Sequence, residues 1–298
     1  MKEVVLITGA NGNLAKHLTT MLEGVFQIKL LSRNPKLSNE YLWDIEKQYI
    51  DPNGLQDVDH IIHLSGASIA AKRWSIKRKR EIVSSRIDSA KLLLRELISH
   101  GQNINTFISA SAVGYYRASI NDCVLDEKSP PGVSFLSEVC CEWEKTALSF
   151  ESLGIAYKTA ILRFGIILDP NSGALKSMAL PIKYGAGSGL GSGDQWVPWI
   201  HIYDLSAMLK YVLLNNLTGV FNAVSPAHTT NDQLTKAIAI KLNRKLILPN
   251  IPVFLCKIMF GEMADVFLTG EKVSSDKIQK RGFRFTYTDI DQTIDNLL

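Results

Sequence analysis

No stretch of this 298-residue chain is apolar for long enough to cross a bilayer. The most apolar run, residues 253–268 (VFLCKIMFGEMADVFL), is broken by Lys257, Glu262 and Asp265 and reads as a buried helix. Cysteine is scarce. The four residues, at 123, 140, 141 and 256, lack the paired spacing of a zinc site, and reduced thiols of a cytoplasmic protein are the expectation. Charge of one sign is also lacking. A net charge of +4 is too small for a general nucleic-acid footprint, although it suits an anionic small ligand. A secretory leader is not expected at the N-terminus, because MKEVVLITGANG passes from a short apolar run straight into a glycine turn. The expected partner is therefore a small-molecule substrate, with no nucleic acid, no membrane and no metal.

What the chain does have is an alternation of short apolar runs with longer segments of helical period. Strands are predicted at 4–8, 27–32, 60–66, 106–112 and 156–165, and helices at about 13–23, 74–100 and 135–153. Apolar strands separated by helices specify an α/β protein with a Rossmann-type, doubly wound parallel sheet. Residues 1–169, with 195–225 returning, form the expected nucleotide-binding domain. Residues 170–194 and 226–298 are assigned to a substrate-side loop and a small C-terminal substrate lobe. Residues 185–196 (GAGSGLGSGDQW) hold five glycines and predict a mobile loop. GFRFTY, 282–287, reads as a strand.

Residues 8–15, TGANGNLA, follow the first strand and open the first helix. Gly9 permits the tight turn, Gly12 lets the backbone approach a pyrophosphate, and Ala15 is small enough for helix–strand packing. Amides at the helix start, with Asn11, Asn13 and Leu14 in the turn, then face the phosphates. At the end of the second strand an acidic residue would bind a ribose hydroxyl. The chain instead offers Ser32 and Arg33, which suit the 2′-phosphate of NADP (NADPH).

Six further stretches extend this pattern: HLSGASIAAKRW (63–74), SSRIDSAKLL (84–93), FISASAVGYY (107–116), FLSEVCCEWE (135–144), LGSGDQWVPWIHIYDL (190–205) and FGEMADVFLTGEKV (260–273). With them the chain resembles an extended short-chain dehydrogenase/reductase of the "epimerase family" branch, whose members are often labelled sugar-nucleotide epimerases. The resemblance spans nearly the whole chain. It implies an NADP-dependent oxidoreductase or epimerase, or a catalytically silent NADPH-binding protein. It implies cofactor contacts at Asp44 and Ile45 (adenine), at Leu64, Ser65 and Gly66 (ribose), and at Glu81 and Arg86. The run 72–81 is equally what a solvated basic helix face looks like. Relatives often pair through the helices predicted at 74–100 and 135–153, so a homodimer is the expected assembly.

Typical members use Ser, Tyr and Lys together, the Lys lowering the Tyr pKa and the Tyr exchanging a proton with substrate. Here Phe135 and Val139 stand in the Tyr and Lys positions. Ser111 (or Ser109, if the matching slips) and Tyr116 remain as catalytic candidates, with Arg73 or Arg86 as the cation a phenol would need. The alternative is that Tyr115 and Tyr116 pack under a loop. Arg73, Gln195, Trp196, Trp199 and His201 are the candidate substrate wall. His201 reads either as a proton carrier or as a structural residue, and Asp204 as a helix cap.

Overall fold

Parallel strands buried on both faces need no polar alternation, and the apolar runs of this chain build a sheet of that kind. The structure, a computed structural model, describes residues 2–116 and 123–298. Eight strands form the main sheet: β1 (Val4–Thr8), β2 (Gln27–Ser32), β3 (Glu40–Asp44), β4 (Tyr49–Ile50), β5 (His60–His63), β6 (Ile104–Ala112), β7 (Ala156–Phe164) and β8 (Gly219–Ala223). Their order is β8-β7-β6-β5-β1-β2-β3-β4, parallel except for the β3–β4 pair. The chain leaves β1 in one direction for β2 and later returns to its other side at β5. That reversal opens a crevice at the C-terminal edge, where ligands bind in such sheets. No helix among the described residues is long and apolar enough to cross a membrane.

Helices α1 (Asn13–Leu22), α2 (Ile76–Ser84), α3 (Ile87–Ser99), α4 (Phe135–Ser152), α5 (Gly173–Lys183), α6 (Ile202–Leu214), α7 (Asn231–Lys241) and α8 (Val253–Phe260) cover the sheet or build the C-terminal region. One apolar cluster joins α1 and α6 to a sheet face through Leu18, Leu22, Ile108, Leu162 and Leu209. Another joins α3 and α4 to the opposite face through Leu93, Leu97, Phe107, Phe150 and Ile161.

Four expectations need correction. The predicted helix 74–100 is two helices broken at Ser85–Arg86. The Ser85 hydroxyl donates to Ile82 O (3.1 Å) and accepts from Ala67 N (2.9 Å), a local competition that serine side chains offer a helix. GFRFTY is not a strand, because the amides of Thr286 and Tyr287 both donate to the Asp204 carboxylate at 2.9 Å. Asp204 therefore does not cap α6; the His201 ring does, Nδ1 accepting from Tyr203 N at 2.9 Å. Finally, α8 is not buried, since Cys256 alone among its residues is.

The strand ends at the crevice are tied together by one threonine. Thr8 Oγ1 accepts from the amides of Leu64 (3.0 Å) and Ser65 (3.1 Å), so its own proton goes to His63 Nδ1 at 3.0 Å. The imidazole then carries its proton on Nε2, facing Arg86 O (3.3 Å) and Ser89 Oγ (3.1 Å). Burial holds His63 in the neutral form and lowers its pKa to about 4 from the ordinary 6.5. The unfolded chain takes up this proton first as pH falls. The stabilisation is complete above pH 6.5 and is lost as pH drops towards 4, by about 3 kcal/mol in all. His63→Asn should flatten that acid limb by about this amount in chemical denaturation, and an unchanged slope would show that His63 does not set it.

Candidate cofactor and active site

The glycine turn is built so that backbone meets backbone. Gly9 has φ +76°, and a methyl group there would stand 3.1 Å from Leu64 O. Gly12 N donates to Gly9 O (2.8 Å), and a methyl on Gly12 would crowd that same oxygen at 3.2 Å. The first helical bond of α1 runs from Lys16 N to Gly12 O (3.2 Å), and no side chain caps the helix. The amides of Asn13, Leu14 and Ala15 precede that bond and are left for an anion, so the residues fit a dinucleotide pyrophosphate. The exposed side chain of Asn11 lies in this turn. Asn13 Nδ2 donates to Asp169 Oδ2 (2.7 Å), which braces the turn against the segment leading to α5. Burial alone would raise the Asp169 pKa, but bonds from Asn171 N, Ser172 and Asn13 hold it below the ordinary range. Asp169 was not found from the sequence, where it reads as one more loop carboxylate.

Around this turn, Ser32 is buried and accepts from Asn34 N (3.2 Å), shaping a bend that leaves Arg33 exposed. Asp44 Oδ1 accepts from Glu46 N (3.0 Å) and Lys47 N (3.1 Å), closing the turn that contains Ile45. Arg86 fills the break between α2 and α3. Its Nη1 donates to Ile82 O (3.1 Å), its guanidinium lies 5.3 Å over the Trp143 ring, and a methyl on Gly66 would be 3.1 Å from its Cζ. Burial lowers the Arg86 pKa to about 10, so it stays a cation beside Gly66. Glu81 accepts from Arg78 Nη1 at 2.5 Å, and this bond holds its exposed carboxyl low, with smaller help from Lys72 and Arg33. The basic run is not a plain solvated face. Arg78 is buried and bonds Ser68 O, Lys79 pairs with Glu262, and Trp74 packs edge-on against Phe135 at 5.3 Å.

The other half of the crevice is a buried polar network fixed by strand register. Ser111, Arg163 and Asn222 are neighbours across β6, β7 and β8, which puts their side chains on one face. Arg163 Nε and Nη2 each donate to a Glu144 oxygen at 2.8 Å, a bidentate ion pair with both partners buried. Ser111 Oγ donates to Glu144 Oε1 (2.7 Å). Arg163 Nη1 donates to Tyr116 Oη (3.0 Å), and Tyr116 donates to Asn222 Oδ1 (2.5 Å). The cation beside Tyr116 is thus Arg163, not Arg73 or Arg86. Burial outweighs it and pushes the phenol up to about 12. Glu144 and Arg163 were missed in the sequence, although an arginine inside the apolar strand AILRFG was a visible signal.

The helix register also differs from the sequence matching by one residue. Phe135 faces Trp74 and Lys79. The side of α4 that meets Ser111 carries Leu136, Cys140 and Glu144, spaced four apart. Leu136 Cβ lies 3.5 Å from where a methyl on Gly114 would sit, and the Cys140 thiol lies beside Ser111 and the backbone of Ala112. Leu136 and Cys140 thus occupy the positions facing Ser111 that Phe135 and Val139 were expected to fill. Burial pushes the thiol up to about 12, so this side presents no charge until Glu144.

The expected substrate wall divides. Arg73 is exposed at the crevice, its guanidinium against Gly261. Trp196 lies under the Lys272 ammonium, 4.3 Å from the ring centre. Gln195 donates its amide to Leu190 O (2.9 Å) and Phe267 O (3.0 Å), holding the lobe. Trp199 and His201 are interior. Trp199 is fully buried with its indole N–H on Thr229, and His201 stacks on Tyr287 at 3.9 Å. Neither can form a wall facing solvent. The glycine loop is braced rather than free. Leu190 N donates to Asn231 Oδ1 (3.0 Å), Gly191 N to Ile251 O (2.9 Å) and Asp232 N to Gly193 O (2.9 Å). Methyl groups on Gly187, Gly189 and Gly193 would collide with Ile182, Asn250 and Asp232, so close approach explains these three glycines.

Comparisons agree with this architecture. The model of the NAD dependent epimerase/dehydratase family matches residues 5–223, and a domain of unknown function, DUF1731, matches 251–297. Epimerase family protein Mb2239 of Mycobacterium bovis is 33% identical over 297 residues, covering 98% of this chain and 96% of that protein. Epimerase family protein YfhF of Bacillus subtilis is 33% identical over 301 residues, covering 99% and 97%. The crystal structure of human epimerase family protein SDR39U1 (isoform 2) with NADPH superposes with a TM-score of 0.87 at 27% identity, over 99% of this chain and 98% of that one. The glycine cradle, the doubly wound sheet and these matches over nearly the full length together establish that the chain belongs to the NAD dependent epimerase/dehydratase family.

Proposed function

We propose that the chain is an NADP-dependent oxidoreductase or epimerase that moves a hydride between the nicotinamide and a small hydroxylated or carbonyl metabolite, a nucleotide sugar being one such class. The observation that carries this reading is Ser111, whose hydroxyl sits at the C-terminal edge one hydrogen bond from the Glu144 carboxylate. In the oxidative direction the substrate hydroxyl gives its proton to Ser111, Ser111 passes its own to Glu144, and the hydride leaves for NADP⁺. Reduction reverses each transfer. Tyr116, with its proton committed to Asn222, orients Arg163 rather than titrating. Arg33 receives the 2′-phosphate, with Ser32 shaping its bend. Gly9, Gly12, Asn13 and Leu14 hold the pyrophosphate, and Arg86 with Leu64, Ser65 and Gly66 holds the ribose. Arg73 and Trp196 border the substrate.

One observation favours a second reading, a silent NADPH-binding regulatory protein: the α4 positions facing Ser111 carry Leu136 and a neutral Cys140. The two separate in one experiment. NADPH deuterated at nicotinamide C4 is incubated with the protein and a soluble metabolite extract, and products are read by mass spectrometry. Deuterium in a metabolite, or conversion of a metabolite to its epimer, supports the enzyme. Neither, with NADPH bound in the same tube, establishes the silent binder.

Ser111→Ala should lower that turnover by about 100-fold or more while leaving NADPH affinity within about threefold; unchanged turnover would remove Ser111 from the mechanism. Arg33→Ala should weaken NADPH by about 10- to 100-fold, the worth of a charged hydrogen-bonded contact, and leave NADH nearly unaffected. Equal losses by titration calorimetry would mean that Arg33 does not read the 2′-phosphate.

A further inference from the structure

Helix α8 is assembled inside out. Its eight residues are apolar except Lys257, yet only Cys256 is buried, with Phe260 half-buried against Phe267. Phe254, Leu255, Ile258 and Met259 share one outward arc at helical spacing, and three of them are 61% (Phe254), 65% (Ile258) and 57% (Met259) exposed. The segment before it adds Ile247 and Leu248, also exposed. Folding alone does not account for such a face, because an amphipathic helix ordinarily hides its apolar side.

Along the chain that leads through it, from 234 to 260, the charges are all of one sign. Between Gln233 and Gly261 the chain has Lys236, Lys241, Arg244, Lys245 and Lys257 and no Asp or Glu. Lys241 is taken by Asp295 (3.3 Å), but Arg244, Lys245 and Lys257 are exposed and carry no ion pair among the described residues. Of the next two acids along the chain, Glu262 is engaged by Lys79, and Asp265 is exposed beyond the end of the helix, so among the described residues three unpaired cations stand against one unpaired carboxylate. A two-fold contact between copies of this chain would set these cations against themselves, which disfavours a self-interface. An apolar arc beside unneutralised lysine and arginine is instead the composition of a surface that lies in the headgroup region of an anionic bilayer.

We propose that α8 and the adjoining residues 244–248 form a peripheral docking face for an anionic lipid membrane, with Phe254, Leu255, Ile258 and Met259 entering the acyl boundary and Arg244, Lys245 and Lys257 meeting lipid phosphates. This revises the sequence-based expectation of no membrane partner without requiring a span. The face adjoins the crevice, since Gly261 at the end of α8 lies against Arg73 and the following Glu262 binds Lys79. The docked protein would therefore hold its crevice near the lipid surface.

The test is co-sedimentation of the full chain, with NADPH present, with vesicles of phosphatidylcholine alone or mixed with phosphatidylglycerol. Binding should be about tenfold or more tighter to the mixed vesicles and should weaken in high salt. Phe254→Ser combined with Ile258→Ser should abolish it, and Lys245→Glu combined with Lys257→Glu should remove the preference for anionic lipid, all with unchanged NADPH affinity. Failure to sediment with the mixed vesicles would overturn the proposal. So would light scattering that shows a dimer dissociated by the Phe254 and Ile258 substitutions, which would assign the face to a second copy. Neither result depends on whether the crevice catalyses hydride transfer.

Discussion

The pair Arg163–Glu144 is the constraint around which this half of the molecule is arranged. A guanidinium on a central strand has no water to solvate it, and removing one partner of a buried pair costs about 3–5 kcal/mol because the other charge is left alone. The pair therefore needs a carboxylate at a fixed point on α4, and that point sets the rotation of the helix against the sheet. Once it is set, Ser111 reaches the same carboxylate, and Tyr116 accepts from the third guanidinium nitrogen and passes on to Asn222. Asn222 in turn donates its side-chain amide to Ser274 O and its backbone N–H to Glu127 Oε1, so the network extends from the sheet into residues beyond 270.

The rotation of α4 also explains why the acid–base pair usual in such folds has no direct replacement. With Glu144 inward, the residues one and two turns earlier are Leu136 and Cys140. They form an apolar flank to a polar pocket whose charge comes from the middle of the helix and from a strand. The cofactor half is built on a different principle. There backbone supplies the chemistry, and side chains such as Thr8 and Asp169 hold the backbone in place.

Much of this could be read in the sequence, and the failures have physical causes. The strands were legible because each is an uninterrupted apolar run, and the glycine turn because its spacing has a steric meaning. The rotation of α4 was not, since Phe135 and Leu136 are both apolar and only the partner of Glu144 decides which faces inward. Helix periodicity ran through Ser85–Arg86 because it does not register a serine hydroxyl that bonds both a loop amide and a carbonyl of the preceding turn. Trp199 and Trp196 look alike in sequence, three residues apart, yet one is core and the other lies under a lysine. The outward face of α8 misled for a simpler reason, that apolar composition ordinarily reports burial.

The braced glycine loop limits how this family member can diversify. Methyl groups at Gly189 and Gly193 would strike Asn250 or Asp232, and one at Gly270 would strike the backbone of Trp196. Gly189 and Gly193 share one loop, and Gly270, remote from it in sequence, meets the loop's end at Trp196. At Gly270 even alanine would force the backbone to move, and at Gly189 and Gly193 it would displace the Asp232 and Asn250 side chains, with a φ of +84° adding strain at Gly193, so selection for a new substrate has few steps available along this seam. Specificity is left to side chains such as Arg73 and Trp196, while the seam itself remains a fixed template.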